Sequence, residues 1–265
     1  MSPLKAEGIH AASDFLGVLR REERHAEALP PDCRPQTRAE GYAIQALCEE
    51  WSAKPLWGWK IAATSVAGQR HINVDRPLAG RLIAEGVVPE GVPVSLGANR
   101  MRVAEVEFVF RIGHALTPRG TPYALDEVMA SVAALHLGVE IPDSRYLDFV
   151  NAGASALIAD RACAHLFVLG REVAATWRER DLAAWAVQGR TSAGVAHDGG
   201  GANVLGDPRF ALTWLANELS AHGVTLGEGQ FVTTGACVTP LPVGPGDVVT
   251  ADYGAFGTMQ VRFEA

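Results

Sequence analysis

Hydrophobic positions in the first fifty residues recur at helical spacing. Phe15, Leu16, Val18 and Leu19 form an amphipathic stretch that runs into a proline-rich break at Pro30, Pro31 and Pro35. A second helix is marked by Thr37 and Glu40, a T-x-x-E spacing in which each residue satisfies a free backbone N–H of the other. Ala39, Ala43, Ile44, Leu47, Cys48 and Trp51 then share one face, and Pro55 sets the limit. From Trp57 onward the texture changes to short alternating apolar runs punctuated by Gly and Pro, as in a strand-rich region. Two helices are expected to interrupt it. One spans about Ala124 to His136, and the other has Asp207 as N-cap, Pro208 in its first turn and Gly223 at its stop. The closing stretch from Phe231 to Phe263 predicts strands joined by turns at Gly244-Pro245-Gly246-Asp247 and Gly254 to Gly257. The expected fold class is α+β, with a helical N-terminal part over residues 1–80 and a β-rich catalytic part over residues 81–265.

Composition narrows the function classes. At 265 residues and 48% hydrophobic, the chain can bury a full core. Its net charge of -7 comes from scattered acids and leaves no basic stripe for a phosphate backbone, so no nucleic-acid partner is expected. The start lacks a basic segment followed by an apolar one, and no apolar run reaches the ~18 residues that span a bilayer. No membrane association and a cytoplasmic location are therefore expected. Cys33, Cys48, Cys163 and Cys237 stand far apart with no C-x-x-C pair, which reads as four unrelated reduced thiols. There is no G-x-S-x-G nucleophile turn, and the glycines of HDGGGANVLG lack the spacing of a nucleotide-binding loop.

Candidate chemistry concentrates in three segments. In MRVAEVEFVFRI, Ala104, Val106, Phe108, Phe110 and Ile112 make one unbroken apolar strand face, while Glu105 and Glu107 stand on the other, about 7 Å apart along the backbone. Like charges at that spacing on a partly buried surface repel unless a cation lies between them. An exposed face on which both acids meet water is the alternative. In HLGVEIPDSRY, Leu135, Leu137, Val139 and Ile141 alternate inward, and Glu140 points the other way beside Gly138. Three carboxylates suit hard cations such as magnesium, manganese or calcium rather than zinc or copper, and leave positions at which a small 2-oxo acid can chelate. Lys60 is one of three lysines, with Lys5 and Lys54, and lies in WGWKIAATS among small neighbours that leave room for a ligand. Such an enclosed amine can be driven toward proton exchange, whereas a strand-edge lysine reaching water is the plainer reading. Asp143 and Arg145 line a pocket or form a structural pair.

Several blocks together resemble the 2-keto-4-pentenoate hydratase group of the fumarylacetoacetate hydrolase superfamily. They are G-W-K-I-A-A-T-S from Gly58, E-V-E-F from Glu105, G-V-E-I-P-D-S-R from Gly138, A-D-x-A from Ala159, V-L-G-D-P from Val204, W-L-A-N from Trp214 and T-G-A-C from Thr234. The likeness extends from about Thr37 to the end. It implies a helical N-terminal part packed on a mixed β roll, assembled as a homo-oligomer. It also implies magnesium or manganese held by Glu105, Glu107 and Glu140, Lys60 as the catalytic residue, and Thr64, Ser65, Asp160, Arg161, Thr234 and Gly235 around the substrate. The implied reaction is addition of water to 2-hydroxypenta-2,4-dienoate, giving a 4-hydroxy-2-oxo acid. Decarboxylation of a 4-oxalocrotonate-type diacid, or a non-catalytic metal-binding role, is the alternative. Two positions depart from the pattern. Leu78 replaces an acid that hydratases carry after V-D-x-P, although Asp75 remains, and Arg161 replaces an Asn. The Arg161 side chain either meets a second substrate carboxylate or, the reading preferred here, points outward at the surface.

Overall fold

In the computed structural model, which describes residues 3–265, the first amphipathic stretch becomes α1 (Ala6–Arg21). It buries Ala12, Leu16 and Leu19 and leaves Val18 at the surface. The capping box forms as its spacing predicts: Thr37 Oγ1 accepts from the Glu40 N–H, the Glu40 carboxylate accepts from the Thr37 N–H, and α2 (Arg38–Ala46) starts there. A 3-10 turn over Leu47–Trp51 extends it.

β1 (Gly58–Ala62) is followed by α3 (Val66–His71), which Ser65 caps, then by β2 (Leu78–Leu82), β3 (Val87–Pro89), β4 (Val94–Ser95) and β5 (Val103–Ile112). α4 covers only Leu125–Ala130 and gives way at once to β6 (Val132–Ile141), so the helix expected as far as His136 is corrected to a short one. The run VAALHL is compatible with either state, and pairing with β5 from Arg111↔Ala134 to Glu105↔Glu140 decides for strand. The rest comprises α5 (Ala154–Ala159), β7 (Leu166–Glu172), β8 (Ala186–Thr191), β9 (Ala196–Gly200), α6 (Pro208–Ala221), β10 (Phe231–Ala236), β11 (Leu241–Pro242), β12 (Val248–Asp252) and β13 (Thr258–Glu264). Asp207 caps α6 by accepting from the Arg209 N–H, and the left-handed Gly223 (φ 70°) follows its end, as the sequence predicts.

Among the described residues the strands form two sheets. The larger has the order β2-β1-β10-β5-β6-β7-β3, with β11 paired to the start of β5; the smaller has the order β4-β13-β12-β8-β9. α1 and α2 lie together beside β2 and α5, and residue 80, where the expected division fell, lies inside β2 within the larger sheet. No helix is long and apolar enough to cross a membrane among the described residues. β5 is the central strand of the core, with Ala104, Val106, Phe108, Phe110 and Ile112 fully buried on the predicted face. Trp177 packs against Phe110, and Tyr253 and Phe256 meet Phe108 edge-on, each such side chain contributing roughly 1.5–3 kcal/mol by burial. The core therefore holds β5 and β6 rigidly, and their other faces carry the acids.

Candidate metal centre

The three carboxylates converge because of strand register. Glu105 and Glu140 are direct partners across the antiparallel pair β5–β6, and Glu107 lies opposite Gly138. One oxygen from each of Glu105, Glu107 and Glu140 lies within 4.8 Å of the others. Gly138 has no room for a side chain, since a Cβ there would press on Phe167 and Val109. The Tyr253 hydroxyl, arriving from the end of β12, lies 2.7 Å from the Glu107 carbonyl oxygen and 3.0 Å from that of Gly138, donating to this pair and tying the two strands together behind the acids. On the other flank β10 is irregular between Thr233 and Ala236. Gly235, at φ 106°, turns its N–H to donate to Glu107 Oε2 at 2.7 Å. A side chain at Gly235 would overlap Thr64, so this close approach demands glycine.

Glu107 and Glu140 are fully buried, and Glu107 Oε1 and both Glu140 carboxylate oxygens have no hydrogen-bond donor. Buried acceptors left without partners are costly, and the clustering of one oxygen from each acid within 4.8 Å fits a hard cation that takes only oxygen ligands. Burial raises the pKa of all three acids. Glu107, pushed further by Glu140 and Glu105, sits well above the carboxylate range, and Glu140 is raised to about 7, with Lys60 opposing.

Lys60 projects from β1 between these acids and a backbone carbonyl. Its Nζ lies 3.2 Å from Glu140 Oε1 and donates to the Ala162 carbonyl oxygen at 3.0 Å. Burial alone would lower this ammonium, but Glu140, Glu105, Cys163 and Glu107 together outweigh it and raise its pKa. With only protein charges around it, the group stays protonated, the reverse of the shift that enclosure by itself suggests. Lys60 and Glu105 open onto a cavity of about 830 Å³, within the range of small-molecule sites. Its wall includes Thr64, Ser65, Gly235, Met101, Phe149 and Leu205.

The remaining candidates separate. Thr64, Ser65 and Gly235 line the cavity. Thr234 does not; it is buried, and its hydroxyl donates to the Phe108 carbonyl. Asp160 lies outside the cavity wall, where its carboxylate accepts from the Arg20 guanidinium, the Ser144 hydroxyl and the Arg145 N–H. The outward placement expected for Arg161 is corrected: the residue is 3% exposed, its guanidinium rests 5.8 Å from the Trp51 ring, and burial lowers its pKa to about 9. It points into the helical layer and does not line the cavity. Asp143 and Arg145 form a buried ion pair, with His25 beside Asp143. Leu78 is a core residue, and Asp75 is exposed near Arg38. Sequence reasoning missed Tyr253 and the Ala162 carbonyl, because a lone tyrosine and a backbone oxygen carry no pattern.

No family model matches the chain. A 2-keto-4-pentenoate hydratase from Dechloromonas aromatica is 33% identical over 226 residues, 84% of each chain. The chain belongs to the family of 2-keto-4-pentenoate hydratases and 4-oxalocrotonate decarboxylases. The decarboxylase branch of this family is represented as well: a 4-oxalocrotonate decarboxylase from Pseudomonas sp. strain CF600 is 29% identical over 88% of both chains. The solved 4-oxalocrotonate decarboxylase of Pseudomonas putida G7, complexed with magnesium and adipate, superposes with a TM-score of 0.89 at 27% identity, covering 99% of this chain and all of that one. Neighbours at lower identity, such as a Burkholderia cenocepacia chain named a putative fumarylpyruvate hydrolase at 18% and a TM-score of 0.59, share the fold.

Proposed function

We propose that this protein is a divalent-metal-dependent hydratase that adds water to 2-hydroxypenta-2,4-dienoate or a close relative, giving a 4-hydroxy-2-oxo acid. The observation that carries the reading is the Lys60 ammonium, 3.2 Å from a carboxylate of the three-acid cluster, at the base of a mostly apolar cavity. Glu105, Glu107 and Glu140 would hold the ion, and magnesium is supported by the decarboxylase relative complexed with it; manganese has the same ligand preference. When bound, such an ion supplies a Lewis acid toward a chelated 2-oxo acid and offsets the pull of the carboxylates on Lys60. Lys60 is the proton carrier, hydrogen-bonded to the Ala162 carbonyl, ion-paired with Glu140 and facing the cavity. Thr64 and Ser65 border the substrate, Gly235 acts on it through Glu107, and Asp160, Arg161 and Thr234 support the surrounding frame.

The absence of an arginine or a second lysine among the described wall residues, with His71 the one further basic side chain, favours hydration over decarboxylation of a diacid. Among the described residues that line the cavity, Lys60 carries the only ammonium or guanidinium, and Val66, Ile72, Met101, Phe149, Leu205 and Val238 supply much of the remainder. A second substrate carboxylate would lie there beside apolar side chains without a permanently charged partner. The decarboxylase reading has its own support in the full-length match to the adipate complex and in apolar Leu78. We further propose a cytoplasmic location, consistent with four free buried thiols, and a homo-oligomer, consistent with the exposed Val18, Leu147 and Phe210.

The test is direct. Purified protein with magnesium is given 2-hydroxypenta-2,4-dienoate and, separately, 4-oxalocrotonate, while dienol absorbance and CO2 release are followed. Loss of dienol absorbance with water incorporated at the fourth carbon supports the proposal. Release of CO2 from the diacid with no hydration of the mono-acid transfers the protein to the decarboxylase branch, and inertness toward both removes the enzymatic reading.

A further inference from the structure

The segment behind Lys60 has unusual backbone. Arg161, Ala162 and Cys163 follow one another at φ 54°, 50° and 65°. Each is a left-handed conformation that a residue with a side chain adopts at a cost, and three in succession persist only where the surroundings over-determine them. Those surroundings are visible. Asp160, 1% exposed, is the anchor: Oδ1 accepts from Arg20 Nη2 at 2.8 Å, and Oδ2 accepts from the Ser144 hydroxyl at 2.8 Å and the Arg145 N–H at 2.7 Å. Arg20 also donates to the Asp160 carbonyl at 3.3 Å, and the Cys163 carbonyl accepts from the Asp143 N–H at 3.0 Å. On the opposite side the turn presses on Gly80, where a Cβ would overlap the Arg161 carbonyl oxygen, and Gly80 is the strand partner of Lys60 itself.

The product of all this constraint is one carbonyl. If the backbone simply continued α5, the Ala162 oxygen would lie along the helix axis; the left-handed turn instead aims it at Lys60 Nζ, 3.0 Å away. An uncharged acceptor directs an N–H without adding a fourth negative charge to a cluster that already holds three. We propose that Asp160 is a positioning residue: by locking the Arg161–Cys163 turn through Arg20 and Ser144, it fixes the Ala162 carbonyl that orients the Lys60 ammonium toward the cavity. This rests on the reading of Lys60 as the proton carrier, and goes beyond it by assigning what holds that carrier in place.

The experiment compares wild-type protein with Asp160→Asn, Ser144→Ala, Arg20→Met and Arg20→Lys. For a misdirected proton carrier, kcat on the dienoate falls by about 10- to 100-fold in Asp160→Asn with a smaller change in KM. Magnesium affinity measured by calorimetry stays at the wild-type value, because the acids stand on β5 and β6, and Arg20→Lys recovers part of what Arg20→Met loses. A second readout does not need turnover. In protein labelled at lysine Nζ and Cε, Lys5 and Lys54 are exposed, so only Lys60 gives slowly exchanging ammonium protons, and Asp160→Asn should abolish that signal. Should Asp160→Asn fail to fold, Ser144→Ala, which removes one donor to Asp160 and one acceptor for the Tyr146 N–H, carries the same test. A folded variant with wild-type kcat and an unchanged Lys60 signal overturns the proposal, as does a loss of magnesium affinity in step with kcat, which would mark a general structural role. If the wild-type protein hydrates nothing, the reaction assignment fails, while the lysine signal still decides whether Asp160 positions Lys60.

Discussion

Raising the pH of protein stripped of divalent ions should destabilise it, and magnesium should reverse the effect. Glu140 is held at about 7 against an ordinary carboxyl value of 4.5, and Glu107 is raised further in the same direction. A carboxyl whose folded-state pKa exceeds its unfolded value stabilises the fold fully below the unfolded pKa, and that contribution is lost as pH rises through the folded one. For Glu140 the window is about 4.5 to 7, and the loss is roughly 3 kcal/mol. Between about pH 6 and pH 8 roughly 1 kcal/mol of that loss falls, which in a protein of this size corresponds to a Tm decrease of roughly 3–5 °C. Lys60 does not oppose the trend, because its raised pKa keeps it charged throughout this window. Magnesium binds the ionised acids, so it competes with protons more strongly at about pH 6 than at about pH 8. At about a hundredfold excess over Kd it adds roughly 2.7 kcal/mol, with a larger Tm increase at the higher pH. The assay is thermal unfolding followed by circular dichroism at both pH values, with chelator or with magnesium, for wild type and Glu107→Gln. The variant keeps the shape of the side chain and removes one like charge, so its chelator-treated Tm should fall less between the two pH values, and magnesium should barely move it. Equal magnesium-induced increases at both pH values, or identical slopes for wild type and Glu107→Gln, would refute a shared site of three buried acids.

Other perturbations separate the parts of the site. Lys60→Ala should reduce kcat by about 10²- to 10⁴-fold while magnesium still binds, which steady-state kinetics beside calorimetry will check; an unimpaired variant removes Lys60 from the chemistry. Gly235→Ala places a side chain against Thr64 at φ 106° and disturbs the donor to Glu107, so a loss of about 2–3 kcal/mol in urea unfolding, together with weaker magnesium binding, is expected. Thr37→Ala, far from the cavity, removes half of the capping box and should cost about 1 kcal/mol without changing KM.

Local pattern exposed much of this architecture, and the failures have physical causes. The E-V-E strand and the lone Glu140 were legible because alternation states which way a side chain points. Their meeting was legible through the family resemblance and not from alternation, since Glu105↔Glu140 is a register between residues 35 positions apart, and register is set by packing on the far side of the sheet. The helix around Ala124 overran because an alanine-rich run satisfies both periodicities until a partner strand chooses. Arg161 was assigned to the surface from the habits of arginine, whereas here a guanidinium is enclosed beside Trp51. Asp160 and Thr234 belong to matching blocks yet serve backbone geometry, which no side-chain pattern distinguishes from ligand contact.

Charge balance accounts for why one frame serves two reactions in this family and where they must part. Fully ionised, the three acids with the Lys60 ammonium leave two net negative charges, which a single dication neutralises. A mono-acid chelated there adds one charge, spread over an oxygen pair beside that ion. A diacid adds another at the end of its tail, and there the cavity offers Phe149, Ile72 and Val66 with the imidazole of His71 beside Phe149, rather than an arginine. Both reactions draw electrons toward the 2-oxo group, so the acids and Lys60 cannot discriminate between them, and the outer wall must. Introducing a guanidinium there by Ile72→Arg should therefore improve KM for the diacid while leaving magnesium affinity unchanged. No gain would mean that the tail is not read at that wall.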